Sequence, residues 1–162
     1  MKTPTAILRA LRPACIALIM TILLPSCTHN GGDIGNWFGH WHLQSISVNG
    51  QPDESYKGII CWAFQSKVTE MIETSSGPDG KPLEMQRCWG TWEDKGKTLV
   101  LYYNHKDDDN QSNAPKYTPL AATRLPYGVS ELRIDEFSAT TLVLTYTATD
   151  GSLITYRLQK QG

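Results

Sequence analysis

The chain has 162 residues, of which 15 are basic and 16 are acidic. The first acidic residue is Asp33, so the chain becomes net acidic once its basic N-terminal segment is set aside. That balance argues against nucleic acid as a partner, because nucleic-acid binding needs a basic surface. The length predicts one domain with its own core.

The N-terminal segment has the features of an export signal. Three basic residues precede an apolar run at positions 14–24; they are Lys2, Arg9 and Arg12. This run is shorter than the ~20 apolar residues that a helix needs to cross a bilayer. A basic flank followed by a short apolar run is typical of a cleaved signal peptide.

The end of the apolar run carries a more specific pattern. Leu24-Pro25-Ser26-Cys27 resembles a lipobox, the site at which bacterial lipoproteins are lipidated and cleaved. The resemblance implies that residues 1–26 are a lipoprotein signal peptide and that Cys27 anchors the protein to a membrane through its lipid. Thr28 after the cysteine favours the outer membrane. The alternative is an ordinary secretory signal with a chance cysteine.

The residues that follow the signal predict a tether and then an all-β domain. Residues 27–36 are small and polar, as in a flexible tether. From residue 37 onward the hydrophobic pattern alternates as in strands, with no helical period. The predicted strands are 39–48, with a bulge near Gln44-Ser45; 58–73, bent or split in two; 83–92; 98–103; 129–134; 140–147; and 152–160.

Tight turns join most of these strands. Asn49-Gly50, Asp94-Lys95-Gly96-Lys97 and Asp150-Gly151 are typical turn sequences. Seven strands, or eight if 58–73 is two, predict a single antiparallel up-and-down β-barrel, with a sandwich as the alternative. Closure of the barrel would also remove exposed sheet edges.

Two cysteines fall within the predicted barrel. An exported protein lies in an oxidising compartment, where disulfides persist, so Cys61 and Cys88 are candidates for a bridge. A tight hairpin centred on Gly77-Pro78-Asp79-Gly80 would place Cys88 opposite Thr69, so a direct bridge needs a less symmetric connection. A disulfide and two buried free thiols both stay open.

Both ends of the predicted barrel resemble the lipocalin family. Gly39-His40-Trp41 has the Gly-x-Trp pattern that opens the first lipocalin strand, and residues 141–144 and 156–160 resemble the close of lipocalin-like domains in bacterial lipoproteins. The resemblance implies a lipocalin-like barrel over residues 37–162. It also implies structural roles for Gly39 and for Trp41, which would pack under Arg157 or Lys160 in a cation–π contact.

The barrel interior is the natural place for a ligand. An eight-stranded barrel either is filled by side chains or holds one small molecule. The side chains predicted to point inward are Trp41, Trp62, Phe64, Trp89, Leu101, Tyr103, Leu144, Tyr146 and Tyr156.

Metal binding and catalysis find little support in the sequence. His40 and His42 would share a strand face, but no third zinc ligand stands at a telling distance. Asp107-Asp108-Asp109-Asn110 lacks the glycine and the distal glutamate of a calcium loop. We therefore predict solvated side chains at both places. Nucleophile elbows, zinc-protease motifs and phosphate loops are also missing, which predicts a protein that is not an enzyme and uses no cofactor.

Two functional hypotheses follow. The first is a lipid-anchored protein of the cell envelope whose barrel binds a small apolar or amphipathic ligand. The second is a protein-interaction module, such as an envelope inhibitor or accessory protein, in which the polar loop 104–118 makes the contact.

Overall fold

The structure, a computed structural model, describes residues 34–76, 82–106 and 117–161. Its strands form one antiparallel sheet. They are β1 (Gly39–Val48), β2 (Gln51–Pro52), β3 (Ile60–Gln65), β4 (Val68–Ser76), β5 (Pro82–Asp94), β6 (Thr98–Tyr103), β7 (Gly128–Phe137), β8 (Thr141–Thr147) and β9 (Leu153–Lys160). Two single-turn 3-10 helices, Gly35–Trp37 and Ala121–Thr123, complete the described elements.

The sheet closes into a barrel. From β3 to β9 each strand pairs with the next along the chain, and β1 pairs with both β3 and β9. The two-residue β2 only extends the edge of β1, so eight strands form the wall. The predicted all-β, up-and-down barrel is confirmed. Among the described residues, no helix has the length and apolar character needed to span a membrane.

Two irregularities that the sequence predicts are present. The stretch 58–73 contains two strands, β3 and β4, and Ser66 makes the turn between them with a φ of 51°. The pairing of β1 with β9 shifts by one residue between Leu43 and Ser45. This bulge changes the phase of the strand, so that Trp41, Leu43 and Ile46 are all buried although they do not alternate regularly.

Cys61 and Cys88 are both free thiols. Cys61 pairs with Ile72 on β4, whereas Cys88 pairs with Met71. Because neighbouring residues of a strand point to opposite faces, the two cysteines lie on opposite faces of the sheet. The expected register with Thr69 is wrong by two residues, since the β4–β5 connection is longer than a tight hairpin and the pairing shifts between Ser75 and Ser76.

The end of the barrel at which β1 begins is closed by aromatic rings. The Trp37 indole packs against Phe64, Trp92 and Phe137, with ring centroids 4.2–5.3 Å apart. The Trp41 indole donates a hydrogen bond of 3.1 Å to the Trp37 carbonyl. We call this end the closed end. A ligand would therefore have to approach the barrel interior from the opposite end.

The cation over Trp41 is Lys160. Its Nζ lies 5.1 Å from the Trp41 ring centroid and donates a hydrogen bond of 2.7 Å to the Asn36 carbonyl. A Cβ at Gly39 would lie 3.2 Å from the Lys160 Cε, and Gly39 has a φ of 118°. Arg157 is exposed and pairs with Ser45 and Val143, on the outer face of β9. Of the two basic candidates, the structure places Lys160 at the tryptophan.

Candidate functional site

Most of the residues predicted to line a cavity are core residues. They fill the barrel together with Leu43, Ile60, Met71 and Leu158, all fully buried, and the Trp62 and Tyr156 rings lie 5.4 Å apart. The interior is therefore packed rather than open at these positions. The candidates that are buried are Trp41, Trp62, Phe64, Leu101, Tyr103, Leu144, Tyr146 and Tyr156.

Trp89 was predicted to point inward, and this is wrong. Within residues 85–94 of β5 the buried residues are Cys88, Gly90 and Trp92, so Trp89 points to the outer face and is only half-buried. Its partner across the β4–β5 ladder is Glu70, which also faces outward. Trp89 and Trp92 lie on opposite faces of the strand, so the alternating pattern alone does not tell which of them points inward. In the structure it is Trp92.

A glycine makes room for the Tyr103 ring in the barrel interior. Gly90 pairs with Thr69 on β4 and lies beside Tyr103 on β6. A Cβ at Gly90 would lie 2.8 Å from the Tyr103 ring and 2.6 Å from the Tyr102 carbonyl oxygen. The Tyr103 ring therefore lies across the glycine, on the inner wall of the barrel, with Thr69 on the far side.

Three hydroxyl groups in the interior make no hydrogen bond of standard geometry among the described residues, although those of Tyr103 and Thr69 lie close enough to influence each other. They belong to Thr69, Tyr103 and Ser130, which are 0–1% exposed, and we call them the inner hydroxyls. The Trp62 and Trp92 indole nitrogens are also buried, and no residue that the structure describes accepts a hydrogen bond from them. Burial and the nearby Cys88 thiol hold the pKa of Tyr103 well above its ordinary value, while the Thr69 hydroxyl acts in the opposite direction. Tyr103 is thus a neutral phenol.

The end of the barrel opposite the closed end is covered by a short segment, residues 120–125, which we call the plug. Leu120, Thr123 and Leu125 are buried in the core, and the chain turns between them in one 3-10 turn. The Thr123 N–H and hydroxyl both donate to the Leu120 carbonyl. Arg124 follows with a φ of 58°, a left-handed conformation that turns its side chain outward to the rim.

Two contacts fasten the plug to the barrel. The Tyr156 hydroxyl donates a hydrogen bond of 2.6 Å to the Thr123 carbonyl. At the rim, the Arg124 guanidinium donates to Asp53 through Nη2 at 2.6 Å and Nε at 3.1 Å. Hydrogen bonds from Ser55 and then from Arg124 lower the pKa of Asp53 to about 2, so the carboxylate is charged over nearly the whole pH range.

A cleft of about 330 Å³ opens between the plug and the loop that precedes β3. Its floor is partly apolar, and its rim carries charged side chains of both signs. The Tyr56 hydroxyl donates to the Leu43 carbonyl at 2.7 Å, which fixes the loop to β1. Burial raises the pKa of Tyr56 to about 12. We call this the mouth cleft; its lining is Asp53, Ser55, Tyr56, Lys57, Ile59, Glu73, Ala121, Ala122 and Arg124.

A second recess lies on the outer wall. It measures about 270 Å³ and is lined by Val68, Trp89, Gly90, Thr91, His105 and Tyr117. The His105 and Tyr117 rings are 5.5 Å apart and stand at the two ends of loop 104–118. Positions 107–116 of that loop, including Asp107-Asp108-Asp109-Asn110, lie outside the described residues.

The remaining sequence candidates are the histidine pair on β1 and the lipid-attachment cysteine. His40 is exposed, and His42 uses its two ring nitrogens on the Gly58 carbonyl, at 2.7 Å, and on the Gln44 amide, at 2.8 Å. Across residues 34–76, 82–106 and 117–161, no three His, Cys, Asp or Glu side chains form a group that could hold a metal ion. Cys27 and the lipobox lie outside the described residues.

The plug is the part of the site that sequence reasoning missed. The stretch up to Pro126 contains prolines and polar residues, which predicts an exposed loop. Leu120 and Leu125, five positions apart between Pro119 and Pro126, were the only local signal that this loop turns back into the barrel.

A closed, eight-stranded meander with a tryptophan packed at one end and a mouth at the other defines a barrel of the lipocalin type. The comparison with protein families agrees with this geometry. The model of the lipocalin-like domain family matches residues 19–156, and the chain belongs to that family. The predicted resemblance to lipocalins is confirmed.

Solved structures from two Bacteroides species share the fold. A lipocalin-like protein from Bacteroides uniformis is 18% identical and superposes with a TM-score of 0.51, covering 76% of this chain and 98% of that one. An uncharacterized protein from Bacteroides eggerthii is 14% identical, with a TM-score of 0.50 and coverages of 77% and 99%. At this identity the likeness shows the fold alone. No curated protein matches the sequence.

Proposed function

We propose that the barrel binds one small amphipathic molecule at the mouth cleft, and that a lipid on Cys27 holds the protein in the cell envelope. The observation that carries the binding proposal is the cleft itself. It is about 330 Å³ in volume, and small-molecule sites begin at roughly this size. It opens at the end of the barrel opposite the aromatic closed end.

The chemistry of the lining favours an amphipathic ligand over a wholly apolar one. Ile59, Ala121 and Ala122 offer apolar surface, while Lys57 and Glu73 place charges of both signs at the same cleft. Such a mixture can hold the body of a molecule and orient its polar end. A long apolar chain would need space inside the barrel, which side chains fill as long as the plug is in place.

Binding also suits this lining better than catalysis. The lining contains neither histidine nor cysteine. Its Asp53 is held by Ser55 and Arg124, and a carboxylate with a pKa of about 2 is a poor general base. A binding role is therefore the function that we propose.

Native mass spectrometry of a soluble form, in which an ordinary cleavable secretory signal replaces residues 1–27 and which is purified gently from the host envelope, tests the proposal. We expect an added mass that is lost on denaturation. A122W would fill the mouth cleft and abolish that mass, whereas A139W, at an exposed turn of the closed end, would keep it. A bound mass that survives in A122W, or no bound mass in any of the three proteins, would refute binding at the cleft.

The anchor has a separate test. Intact-mass analysis of the membrane-extracted protein should show a chain that begins at Cys27 with added acyl groups, because multiple chains are needed for stable attachment. When an ordinary cleavable secretory signal replaces residues 1–27, the protein should move to the soluble fraction. Membrane retention of that protein, or an unmodified Cys27 in the wild type, would contradict the lipid anchor.

A second candidate function, protein recognition through the outer wall, has an observation of its own. Val68, Tyr127 and Val129 are 47–53% exposed, and with Trp89 and Tyr102 they make an apolar surface near both ends of loop 104–118. Exposed apolar patches mark interaction sites. If the loop and this wall bind an envelope protein, deletion of residues 107–116 or the V129D substitution should remove that protein from a cross-linked pull-down. Unchanged partners in both variants would exclude this candidate.

A further inference from the structure

The inner hydroxyls are the most unusual feature of the barrel interior. Thr69, Tyr103 and Ser130 come from β4, β6 and β7, and all three point inward. Tyr103 lies across Gly90 from Thr69, and it pairs with Gly128, two positions before Ser130. Tyr103 therefore lies between Thr69 and Ser130 on the inner wall. A buried polar group without a partner destabilises a fold, so such a group calls for an explanation.

The plug approaches this region of the wall through Cys88. The Leu120 backbone is within hydrogen-bonding reach of the Cys88 sulfur, and the Cys88 thiol is close enough to Tyr103 to affect its ionisation. Leu120 and Leu125 belong to the same buried core cluster as Cys88 and Tyr103. Apart from these packing contacts, the plug is fastened by the hydrogen bond from Tyr156 and the ion pair with Asp53.

We infer that the inner hydroxyls form a recognition site for the neutral carbonyl group of a mainly apolar molecule, which enters the barrel by displacing the plug. The inference rests on the proposed function, that the barrel binds a small molecule, and extends it to the kind of molecule. The apolar body of the ligand would take the place of Leu120 and Leu125. The carbonyl oxygen would accept hydrogen bonds that no described residue accepts.

The surroundings select a neutral acceptor. The buried polar residues of the described barrel are threonines and a serine, with no Lys, Arg or His among them. A carboxylate moved into this interior would lose its hydration without gaining a cation, which is strongly unfavourable. The unpartnered side-chain groups of the described residues are hydroxyls and the Trp62 and Trp92 indoles, which are neutral donors. A ketone, ester or amide oxygen can accept two such bonds without bringing a charge.

The test uses a hydroxyl-free variant that keeps the shape of the interior, T69V/Y103F/S130A. A matched control, T91V/Y102F, removes two hydroxyls from the outer face of β5 and β6. The probes are a medium-chain methyl ketone and the fatty acid and alkane of the same length, added to the soluble protein. Tryptophan fluorescence reports binding, and thermal unfolding of the unliganded protein reports stability.

Opposite effects on stability and binding are expected. Without ligand, the hydroxyl-free variant should unfold at the same temperature as the wild type or higher, because it no longer buries unpartnered hydroxyls. Its affinity for the ketone should fall about tenfold or more, as expected for two lost hydrogen bonds. Alkane binding should change less than about threefold, and the control variant should behave as the wild type.

The outcomes separate this inference from the proposed function. Equal ketone affinity in the wild type and the hydroxyl-free variant, or tighter binding of the fatty acid than of the ketone, would overturn the inner site. If, in addition, native mass spectrometry shows that A122W loses the ligand from the host and the hydroxyl-free variant keeps it, the mouth cleft binds a ligand and the inner hydroxyls do not. Y156F, which loosens the plug, should bind the ketone more tightly, because less binding energy is spent on opening. Weaker binding in that variant would refute plug displacement.

Discussion

The Tyr156 hydroxyl donates a hydrogen bond of 2.6 Å to the backbone carbonyl of Thr123, and so joins the last strand of the barrel to the segment that covers its mouth. The two residues are 33 positions apart. Burial, with a smaller effect from Tyr146, raises the pKa of the Tyr156 hydroxyl far above its ordinary value, so it is a donor under all ordinary conditions. The seal of the barrel therefore depends on a contact that is remote in sequence.

Removal of this hydroxyl should loosen the plug. In Y156F the buried Thr123 carbonyl loses its donor, and we expect the free energy of unfolding to fall by about 1–2 kcal/mol. Y102F removes a hydroxyl that bonds to Glu93 at the surface, at 3.1 Å, and should change stability by less than about 0.5 kcal/mol. Urea unfolding of both variants measures the difference. Equal effects would mean that the Tyr156 contact does not hold the plug.

The two free thiols should report plug opening. Cys61 is half-buried on the outer face, and Cys88 is buried beneath Leu120 with a pKa raised to about 11 by burial. Thiolates are the reactive species, so a thiol reagent at neutral pH should label Cys61 first. In a C61A background, Y156F should speed the labelling of Cys88 about fivefold, in line with a loss of about 1 kcal/mol in the closed state. In a C88A background, Cys61 should react at the same rate with or without Y156F.

The rim contact should fail only in strong acid. The pKa of Asp53 is lowered from 3.8 to about 2, so the stability that its contacts provide is present above about pH 4 and is lost as the pH falls towards 2. We expect the wild type to be more stable than D53N at neutral pH, with a difference that disappears between pH 4 and pH 2. Urea unfolding at several pH values measures it. A difference that already disappears near pH 6 would assign the effect to another group.

The sequence predicts the wall of this barrel better than its interior. Alternation and turn residues give the strands, and the broken phase of β1 correctly predicts the bulge between Leu43 and Ser45. Side-chain direction is harder to predict where large apolar residues occupy both faces of a strand. For this reason the pattern wrongly favours Trp89 over Trp92 as the inward residue. The position of Lys160 over Trp41 also needed the structure, since Arg157 was an equal candidate.

The plug and the inner hydroxyls could not be predicted for a different reason. Thr69 and Ser130 are single hydroxyl residues in otherwise ordinary strands, and their burial depends on which way each strand faces. Leu120 reaches the core only because the segment from Pro119 to Leu125 folds back over the mouth. Local sequence reports the polarity and turn tendency of such a segment but not the distant surface, here Tyr156, against which it rests.

Gly90 should be intolerant of any side chain. A Cβ there would lie 2.6 Å from the Tyr102 carbonyl oxygen and 2.8 Å from the Tyr103 ring, and backbone within a central strand has little room to move. We expect G90A to lower the free energy of unfolding by about 2–3 kcal/mol through overpacking.

G151A is the matched control for that substitution. Gly151 has a φ of 84° and open space around the position of a Cβ, so only backbone strain of about 1–2 kcal/mol applies. A second variant, G90A/Y103L, replaces the Tyr103 ring by a smaller side chain. It separates the clash with that ring from the clash with the Tyr102 carbonyl oxygen. Because the Tyr103 ring supplies one of the two close contacts, the double variant should recover part of the stability lost in G90A. If denaturant unfolding shows G90A as stable as the wild type, Tyr103 does not lie across Gly90, and the placement of the inner hydroxyls around it falls as well.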